Sequence, residues 1–263
     1  MGSVTINQPD GAPGVMELVL DRPEAHNALS TDHARQIVAA VGELAADPKV
    51  RAVVLSSSSP KAFCVGADLK ERNDIDDDGL RAQRVVFRAM FTGLLELPVP
   101  TVAAVHGYAL GGGLELALSC DLIVLEETAV VGLPEVSVGV IPGGGGTQLL
   151  TRRLGWSRAA DLIFTARRLD AAEAYRLGLA DRLVPAGAGA ARAAALELAT
   201  TIAGHSPVGV HNAKRAMRQG FDAPLAAGLD IEDAAWRATA FSGDRKEGVA
   251  AFNEKRRPDW PGE

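Results

Sequence analysis

Three consecutive glycines lead directly into a helical apolar pattern that carries one acidic residue. Gly111–Gly113 are followed by Leu114, Glu115 and further apolar residues. The first N–H groups of a helix are unpaired and lie at the positive end of its dipole, so a turn without side chains can hold an anion there. That anion can be one that forms only in a transition state. Glu135 supplies a second carboxylate further along the chain, and two carboxylates beside such a turn predict proton transfer next to a carbonyl group.

A second glycine-containing turn, at 63–70, follows a predicted buried strand. Gly66 and Ala67 lie beyond the carboxyl end of that strand, where α/β proteins usually bind ligands. Each turn on its own is more often an ordinary tight turn than a binding site. If the turn at 66–67 adjoins the one at 111–112, however, each supplies one backbone N–H group, and the pair forms an oxyanion hole.

These turns need a rigid framework, and the apolar pattern predicts one. Short apolar runs alternate with helical patterns, which favours an α/β architecture with mostly parallel strands. The predicted strands lie at 15–20, 51–56, 101–105 and 122–125, and a helix capped by Ser30 or Thr31 runs to about Ala46. The acidic stretch 73–79 predicts a mobile loop. Beyond residue 185 only helices are predicted, at 186–203, 207–220, 224–241 and 244–256.

Composition narrows the class of protein. The chain has 263 residues, 47% of them hydrophobic, and a net charge of −6, which argues against a surface for nucleic acid. The two cysteines, Cys64 and Cys120, lie in apolar stretches and read as reduced core residues. The N-terminal residues lack the pattern of a signal peptide, and no apolar run is long enough to span a membrane. We therefore expect a cytoplasmic protein.

Several short motifs occur in an order that resembles the crotonase superfamily, the enoyl-CoA hydratase/isomerase group. They are Asp21-Arg22-Pro23, Asn27-Ala28, Gly66-Ala67-Asp68, 107–113 with Glu115, Pro134-Glu135, 141–148, Gly178-Leu179-Ala180 and 252–256. Within that group the chain is most similar to the AU-binding type of hydratase, which includes 3-methylglutaconyl-CoA hydratases. The stretches that carry this finer likeness are 68–72, 97–101, 111–118, 143–146 and 254–258, with Gly262-Glu263.

The resemblance implies a fold and a reaction. The fold is a crotonase-like spiral of ββα turns over residues 1–200, followed by an all-helical region at 201–263 that forms trimers, which usually pair into hexamers. The reaction adds water across the C2=C3 bond of a trans-2-enoyl-CoA to give a 3-hydroxyacyl-CoA, with a preference like that of methylglutaconyl-CoA hydratases as one expectation. The N–H groups of Ala67 and Gly112 would bind the thioester oxygen. Glu115 would orient the water and take its proton, and Glu135 would also hold the water and deliver a proton to C2. Glu135, as the proton donor, is expected to be largely buried with a raised pKa.

Coenzyme A contacts are also implied by the resemblance. The candidate positions are Ala25, His26, Val65, Ala67, Asp68, Leu69, Lys70, Gly111, Gly112, Phe252 and Lys255. Lys70 and Lys255 read equally well as ordinary surface lysines. The hydratase that the resemblance implies needs no metal and no redox cofactor. His106, His205 and His211 lack metal-ligand spacing. The run at 143–146 lacks the Lys-Ser/Thr ending of a phosphate-binding loop, which argues against nucleotide hydrolysis.

Three alternatives stay open at this point. An isomerase of the same family would move a double bond from C3 to C2, and such members generally keep the acid at Glu135 but often lack the one at Glu115. RNA binding is suggested by the AU-binding relatives and by Arg81, Arg84 and Arg88 on one predicted helix face, although the acidic cluster at 74–78 opposes it. A non-catalytic CoA-binding protein is disfavoured because both glutamates are present.

Overall fold

The computed structural model describes residues 3–263, and within them the strands form two sheets. The larger sheet has the order β1-β2-β3-β5-β7-β10, and the smaller has the order β4-β6-β8-β9. The strands are β1 (Ser3–Asn7), β2 (Val15–Asp21), β3 (Ala52–Ser57), β4 (Ala62–Cys64), β5 (Thr101–Val105), β6 (Tyr108–Leu110), β7 (Leu122–Glu126), β8 (Val130–Gly132), β9 (Leu169–Asp170) and β10 (Arg182–Val184). Neighbouring strands are parallel except for the pairs β1–β2 and β8–β9.

The helices follow the strands in a repeating pattern. They are α1 (Thr31–Ala46), α2 (Leu69–Asp74), α3 (Asp77–Leu95), α4 (Gly112–Ser119), α5 (Gly146–Leu154), α6 (Trp156–Thr165), α7 (Ala171–Leu177), α8 (Ala190–Ala203), α9 (Pro207–Gly220), α10 (Leu225–Ala240) and α11 (Gly243–Glu254). The successive turns β3-β4-α2-α3, β5-β6-α4 and β7-β8-α5 each place one strand in the larger sheet and one in the smaller sheet before the helix. This is the predicted ββα spiral.

The central strands of the larger sheet, β3, β5 and β7, are buried on both faces, which explains their continuous apolar sequences. On β3, Val53 and Leu55 pack with the cluster that includes α1 and α3, whereas Ala52 and Val54 pack with α8. The small side chains of α8 that are fully buried recur every fourth residue, at Ala191, Ala195, Ala199 and Ala203. Alanine at that spacing lets the helix lie close to the sheet.

The C-terminal helices are joined to the core by a charged contact. The carboxylate of Asp121, just after α4, accepts hydrogen bonds from Lys214 Nζ at 2.7 Å and from Arg218 Nη2 at 2.8 Å. Helices α9 and α10 pack on each other and expose large apolar side chains: Met217, Phe221, Leu225, Leu229 and Trp236. The division of the chain at residue 200 stays a prediction.

Most predicted elements match the structure to within a few residues, but the loop predicted at 73–79 is wrong. That stretch contains the end of α2 and the beginning of α3. The Asp76 carboxylate accepts a hydrogen bond from Gly79 N at 2.8 Å and so caps α3. Acidic residues are favoured in a first helical turn, so the charges that suggested disorder stabilise a helix start. Among residues 3–263, no helix combines the length and the apolar character needed to cross a membrane.

Candidate active site

The two glycine turns lie side by side, as predicted for an oxyanion hole. Gly66 follows β4 and Gly111 follows β6, and these strands are parallel neighbours. A Cβ atom added to Gly66 would lie 2.8 Å from Leu110 O and 3.1 Å from Gly112 N. Gly66 also has a positive φ of 88°, a conformation that glycine adopts without steric cost. The backbones approach so closely here because Gly66, Gly111 and Gly112, the residues at the point of contact, have no side chains.

Two backbone N–H groups are left unpaired where these turns meet. The neighbouring groups are used: Asp68 N donates to Leu29 O at 2.9 Å, and Gly111 N donates to Gly132 O at 2.9 Å. The N–H groups of Ala67 and Gly112 donate no hydrogen bond within residues 3–263. Partly buried N–H groups without a partner are uncommon. The pair is therefore available to a ligand oxygen, with Gly112 at the beginning of α4 and its dipole.

An ion pair holds the turn that contains Ala67. Arg22 Nη1 donates to Asp68 Oδ2 at 2.7 Å and to Ala28 O at 2.8 Å. Asp68 also caps α2 by accepting from the backbone N–H groups of Lys70 and Glu71. Burial raises the pKa of Asp68, but the Arg22 hydrogen bond and these N–H groups outweigh it and lower the pKa below its usual range. Asp68, predicted to contact coenzyme A, thus has its carboxylate occupied within the chain.

Glu115 lies in the first turn of α4 and is 3% exposed. Its Oε1 accepts hydrogen bonds from Gly144 N at 2.6 Å and from Gly146 N at 2.8 Å. Its Oε2 makes no hydrogen bond with the described residues. Burial raises the pKa of Glu115, and the two backbone N–H groups oppose that rise. One oxygen is therefore fixed by the turn at 143–146, which leaves the other for a substrate molecule.

Glu135 begins a single helical turn, Glu135–Val138, that follows Pro134. A Cβ atom on Gly111 would lie 2.9 Å from Glu135 Oε1, so this carboxylate reaches the oxyanion turn. Its Oε2 is buried and has no hydrogen-bond partner. Burial raises the pKa of Glu135 to about 7, and the negative charge of Glu115 adds to that rise. The raised pKa agrees with the expected role as acid, although the residue as a whole is half-buried rather than largely buried.

Residues of α2 and α3 that sequence reasoning did not assign to the site also line it. Arg72 Nε donates to Gln83 Oε1 at 3.2 Å, and the Arg72 guanidinium lies 5.6 Å from the centroid of the Phe87 ring. Arg84 Nη1 donates to Gly143 O at 2.7 Å and so contacts the turn that binds Glu115. The spacing of 83, 84 and 87 on one helix was the available signal, but it gave no reason to place that helix over the glutamates.

The structure brings some of the predicted coenzyme A positions together. Val65 N donates to His26 O at 3.2 Å, which joins the segment 25–26 to the oxyanion turn. Leu69 and Lys70 expose their side chains beside it. Phe252 and Lys255 are exposed in and just after α11, and no hydrogen bond or ion pair among residues 3–263 links them to the turns at 65–70 and 111–112. Their contact with a ligand stays a prediction.

The cysteines behave as core residues, as predicted. Cys64 is buried, and its Sγ donates to Asn27 O at 3.0 Å. Burial raises the pKa of Cys64 to about 12, so its thiol stays protonated near neutral pH.

His106 Nε2 lies 2.7 Å from Ser59 O. In the part of the chain that the structure describes, no group of three His, Cys, Asp or Glu side chains has the arrangement of a metal site.

Comparison with known proteins gives matches over nearly the whole chain. The family model described as enoyl-CoA hydratase/isomerase matches residues 10–263. The chain is 42% identical to human mitochondrial methylglutaconyl-CoA hydratase, over 95% of this chain and 74% of that protein. It is 40% identical to a probable mitochondrial enoyl-CoA hydratase 2 of Arabidopsis thaliana, over 98% of this chain and 86% of that protein.

A solved structure agrees with these matches. The crystal structure of an enoyl-CoA hydratase from Bacillus anthracis superposes with a TM-score of 0.95 and 37% identity, covering 99% of this chain and all of that one. The spiral, the adjoining turns and the helical C-terminal region thus occur together in a sequence related along its length to hydratases. This chain belongs to the enoyl-CoA hydratase/isomerase family, has the crotonase fold, and is a hydro-lyase of the enoyl-CoA hydratase type.

Proposed function

We propose that this hydratase uses Glu115 and Glu135 as its two catalytic groups and the N–H groups of Ala67 and Gly112 as its oxyanion hole. The observation that supports this most directly is the pair of unpaired N–H groups on adjoining turns. The thioester oxygen of a trans-2-enoyl-CoA accepts both hydrogen bonds, and negative charge that develops on it is stabilised there. Losing one such donor typically raises the barrier by about 3–4 kcal/mol.

The two carboxylates divide the proton transfers. Ionised Glu115 holds a water molecule through Oε2 and takes its proton as the hydroxyl group bonds to C3 of the acyl chain. Protonated Glu135 delivers a proton to C2, and the 3-hydroxyacyl-CoA results. Loss of the proton from Glu115 and uptake of one by Glu135 restore the starting state. A pKa of about 7 for Glu135 is suited to this donor role near neutral pH.

An assay of crotonyl-CoA hydration, monitored through the loss of absorbance of the enoyl thioester, tests this assignment. Glu115→Gln and Glu135→Gln are each expected to lower kcat by about 100-fold or more. Glu197→Gln, a substitution at an exposed position on α8, is the matched control and is expected to keep the wild-type rate. No turnover of any enoyl-CoA, or wild-type rates in both active-site variants, would overturn the proposal. Double-bond migration in a 3-enoyl-CoA without hydration would favour the isomerase instead.

The similarities to known proteins do not identify the acyl group of the substrate. Relatives with 40% and 42% identity carry the names enoyl-CoA hydratase and methylglutaconyl-CoA hydratase, so overall identity does not separate a simple acyl chain from a glutaconyl one. We propose coenzyme A thioesters as the substrate class, with no further cofactor. RNA binding stays an alternative that the sequence disfavours, and a cytoplasmic location stays a prediction from the sequence.

We also propose that the C-terminal helices assemble the chain into a homotrimer, or a hexamer built from two trimers. The supporting observation is that five large apolar side chains in or beside α9 and α10 (Met217, Phe221, Leu225, Leu229 and Trp236) are each more than half exposed, and exposed apolar side chains gathered on one pair of helices are typical of a protein interface. Sedimentation equilibrium tests it, and a monomer at micromolar concentration would contradict it. Leu225→Glu, which places a charge on a side chain that is 79% exposed, is expected to weaken assembly while the protomer stays folded.

A further inference from the structure

We propose that Arg84 is a positioning residue for Glu115, because it orients the peptide group through which the turn at 143–146 binds that carboxylate. The inference rests on the hydratase site proposed above, in which Glu115 is the base that takes a proton from water. Arg84 acts through the turn rather than on the substrate. Its loss therefore changes the ionisation of the base and leaves the reaction itself as it is.

A single peptide group joins Arg84 to Glu115. Arg84 Nη1 donates to Gly143 O at 2.7 Å. The next N–H group, that of Gly144, donates to Glu115 Oε1 at 2.6 Å. This carbonyl and this N–H group belong to the same planar peptide bond, so fixing the direction of one fixes the direction of the other. A guanidinium bound to the carbonyl also polarises the peptide and strengthens its N–H group as a donor. The guanidinium, the peptide and the carboxylate thus form one hydrogen-bonded chain.

The turn has no side chains of its own to hold this peptide in place. Residues 143–146 are all glycine, and glycine loses more conformational freedom on ordering than any other residue. Within residues 3–263, Gly143 O accepts a hydrogen bond only from Arg84. The second donor to Glu115, Gly146 N at 2.8 Å, is fixed differently, since Gly146 begins α5. Arg84 therefore holds the donor that the helix does not.

The charges around Glu115 come from three neighbouring elements. Burial raises the pKa of Glu115, and the two backbone N–H groups and the positive charges of Arg84 on α3 and Arg72 on α2 oppose that rise. Glu135 carries a negative charge when ionised, and burial raises its pKa to about 7. Arg72 makes its hydrogen bond elsewhere, because its Nε donates to Gln83. Arg84 combines a positive charge with a hydrogen bond to the peptide that binds the base.

The pH profile of kcat/KM for crotonyl-CoA tests the inference, because its two limbs report different groups. The acid limb reports Glu115, which must be ionised, and the basic limb reports Glu135, which must be protonated. Arg84→Met removes a stabilising contact of ionised Glu115, so the acid limb is expected to move to higher pH. On that limb, kcat/KM is expected to fall about three- to tenfold below wild type. The basic limb is expected to stay in place, because burial and the charges of Glu115 and Arg72 act on Glu135.

Two further variants show whether the effect belongs to this contact. Arg84→Lys keeps a positive charge and a donor, and is expected to restore most of the wild-type acid limb. Arg88→Met, at an exposed position one turn further along α3, is the matched control, and its profile is expected to match that of wild type. An acid limb in Arg84→Met that coincides with wild type, or a uniform loss of activity at every pH, would overturn the inference. Equal shifts in Arg84→Met and Arg88→Met would overturn it too, because they would show a general effect of charge on the helix.

The hydratase site on which the inference rests fails in a different way. Absence of crotonyl-CoA hydration by the wild type, or a wild-type rate in Glu115→Gln, would refute that site whatever the profile of Arg84→Met. The circular dichroism spectrum of each variant establishes that it is folded.

Discussion

Gly143 and Gly144 are neighbours in one turn, yet a methyl group added to each would meet different surroundings. On Gly144 the new Cβ atom would lie 2.4 Å from Phe91 Cε2 and 2.7 Å from Glu115 Oε2. On Gly143 the nearest atom would be Arg84 Nη1 at 3.5 Å, an ordinary contact. Neither glycine has a positive φ, so backbone strain is not the difference. Gly144→Ala is expected to push the turn away from Glu115, and Gly143→Ala is expected to leave it in place.

The magnitude follows from the hydrogen bond that would be lost. Gly144 N donates to Glu115 Oε1 at 2.6 Å, and a hydrogen bond to a charged group contributes about 1.5–3 kcal/mol. Because that hydrogen bond favours the ionised carboxylate, its loss raises the pKa of Glu115 further above its usual range. Crowding of the Phe91 ring costs a further 1–3 kcal/mol or so of folding free energy, which lowers Tm by roughly 2–12 °C in a chain of this size.

The pH profile of kcat/KM for crotonyl-CoA measures the first effect. Glu115 acts as a base, so its acid limb is expected to move to higher pH in Gly144→Ala and to stay unchanged in Gly143→Ala. Thermal unfolding of both variants measures the second effect. Equal activity and equal acid limbs in the two variants would refute the reasoning, because they would mean that the turn does not set the state of Glu115.

Further expectations concern pH, charge and metal. Because Glu135 must be protonated to act as an acid and burial raises its pKa to about 7, kcat/KM should fall about tenfold for each pH unit above that value; a flat profile to pH 9 would contradict this. Burial lowers the pKa of His33 from 6.5 to about 4, so the unfolded chain binds more protons between those values. Urea titrations should therefore show stability falling by about 3 kcal/mol as pH drops through that window, and His33→Leu should lose most of the slope. Arg192→Met should cost about 1–3 kcal/mol in the same titration, because Glu17 is 1% exposed and Arg192 supplies two of its hydrogen bonds; adding Glu17→Gln should restore part of it. Treatment with a chelator should leave hydratase activity unchanged, and a loss reversed by a divalent cation would show a metal requirement.

Four strands of the larger sheet, β2, β3, β5 and β7, could be predicted because each has five to seven mostly apolar residues. The edge strands β1 and β10 could not, since β1 is SVTIN and β10 has only three residues. Thr101–Val105 and Leu122–Glu126 are buried on both faces, and such runs bounded by turns stand out in a sequence. The smaller sheet could not. Its strands β4, β6 and β8 have three residues each, which is too short to show a period of two.

The catalytic candidates could be named in advance, but their surroundings could not. Glu115 stood out because it follows three glycines, whereas its hydrogen-bond donors come from a turn far along the chain. Those donors are backbone N–H groups, which cannot be recognised from the residue types in the sequence. Arg72 was visible only as part of a motif, since its significance depends on how α2 and α3 fold over the two carboxylates.

The order of strands in the sheets has a consequence for synthesis of the chain. In both sheets the strands occupy positions in the order in which they occur along the chain, from β1 to β10 and from β4 to β9. Each strand therefore pairs with one that has already left the ribosome, and no later strand must be inserted between two earlier ones. The growing edge is always the most recent strand, while the first strand stays at the opposite edge throughout. The last, β10, has only three residues, so the completed sheet ends on an edge that is too short to template another chain.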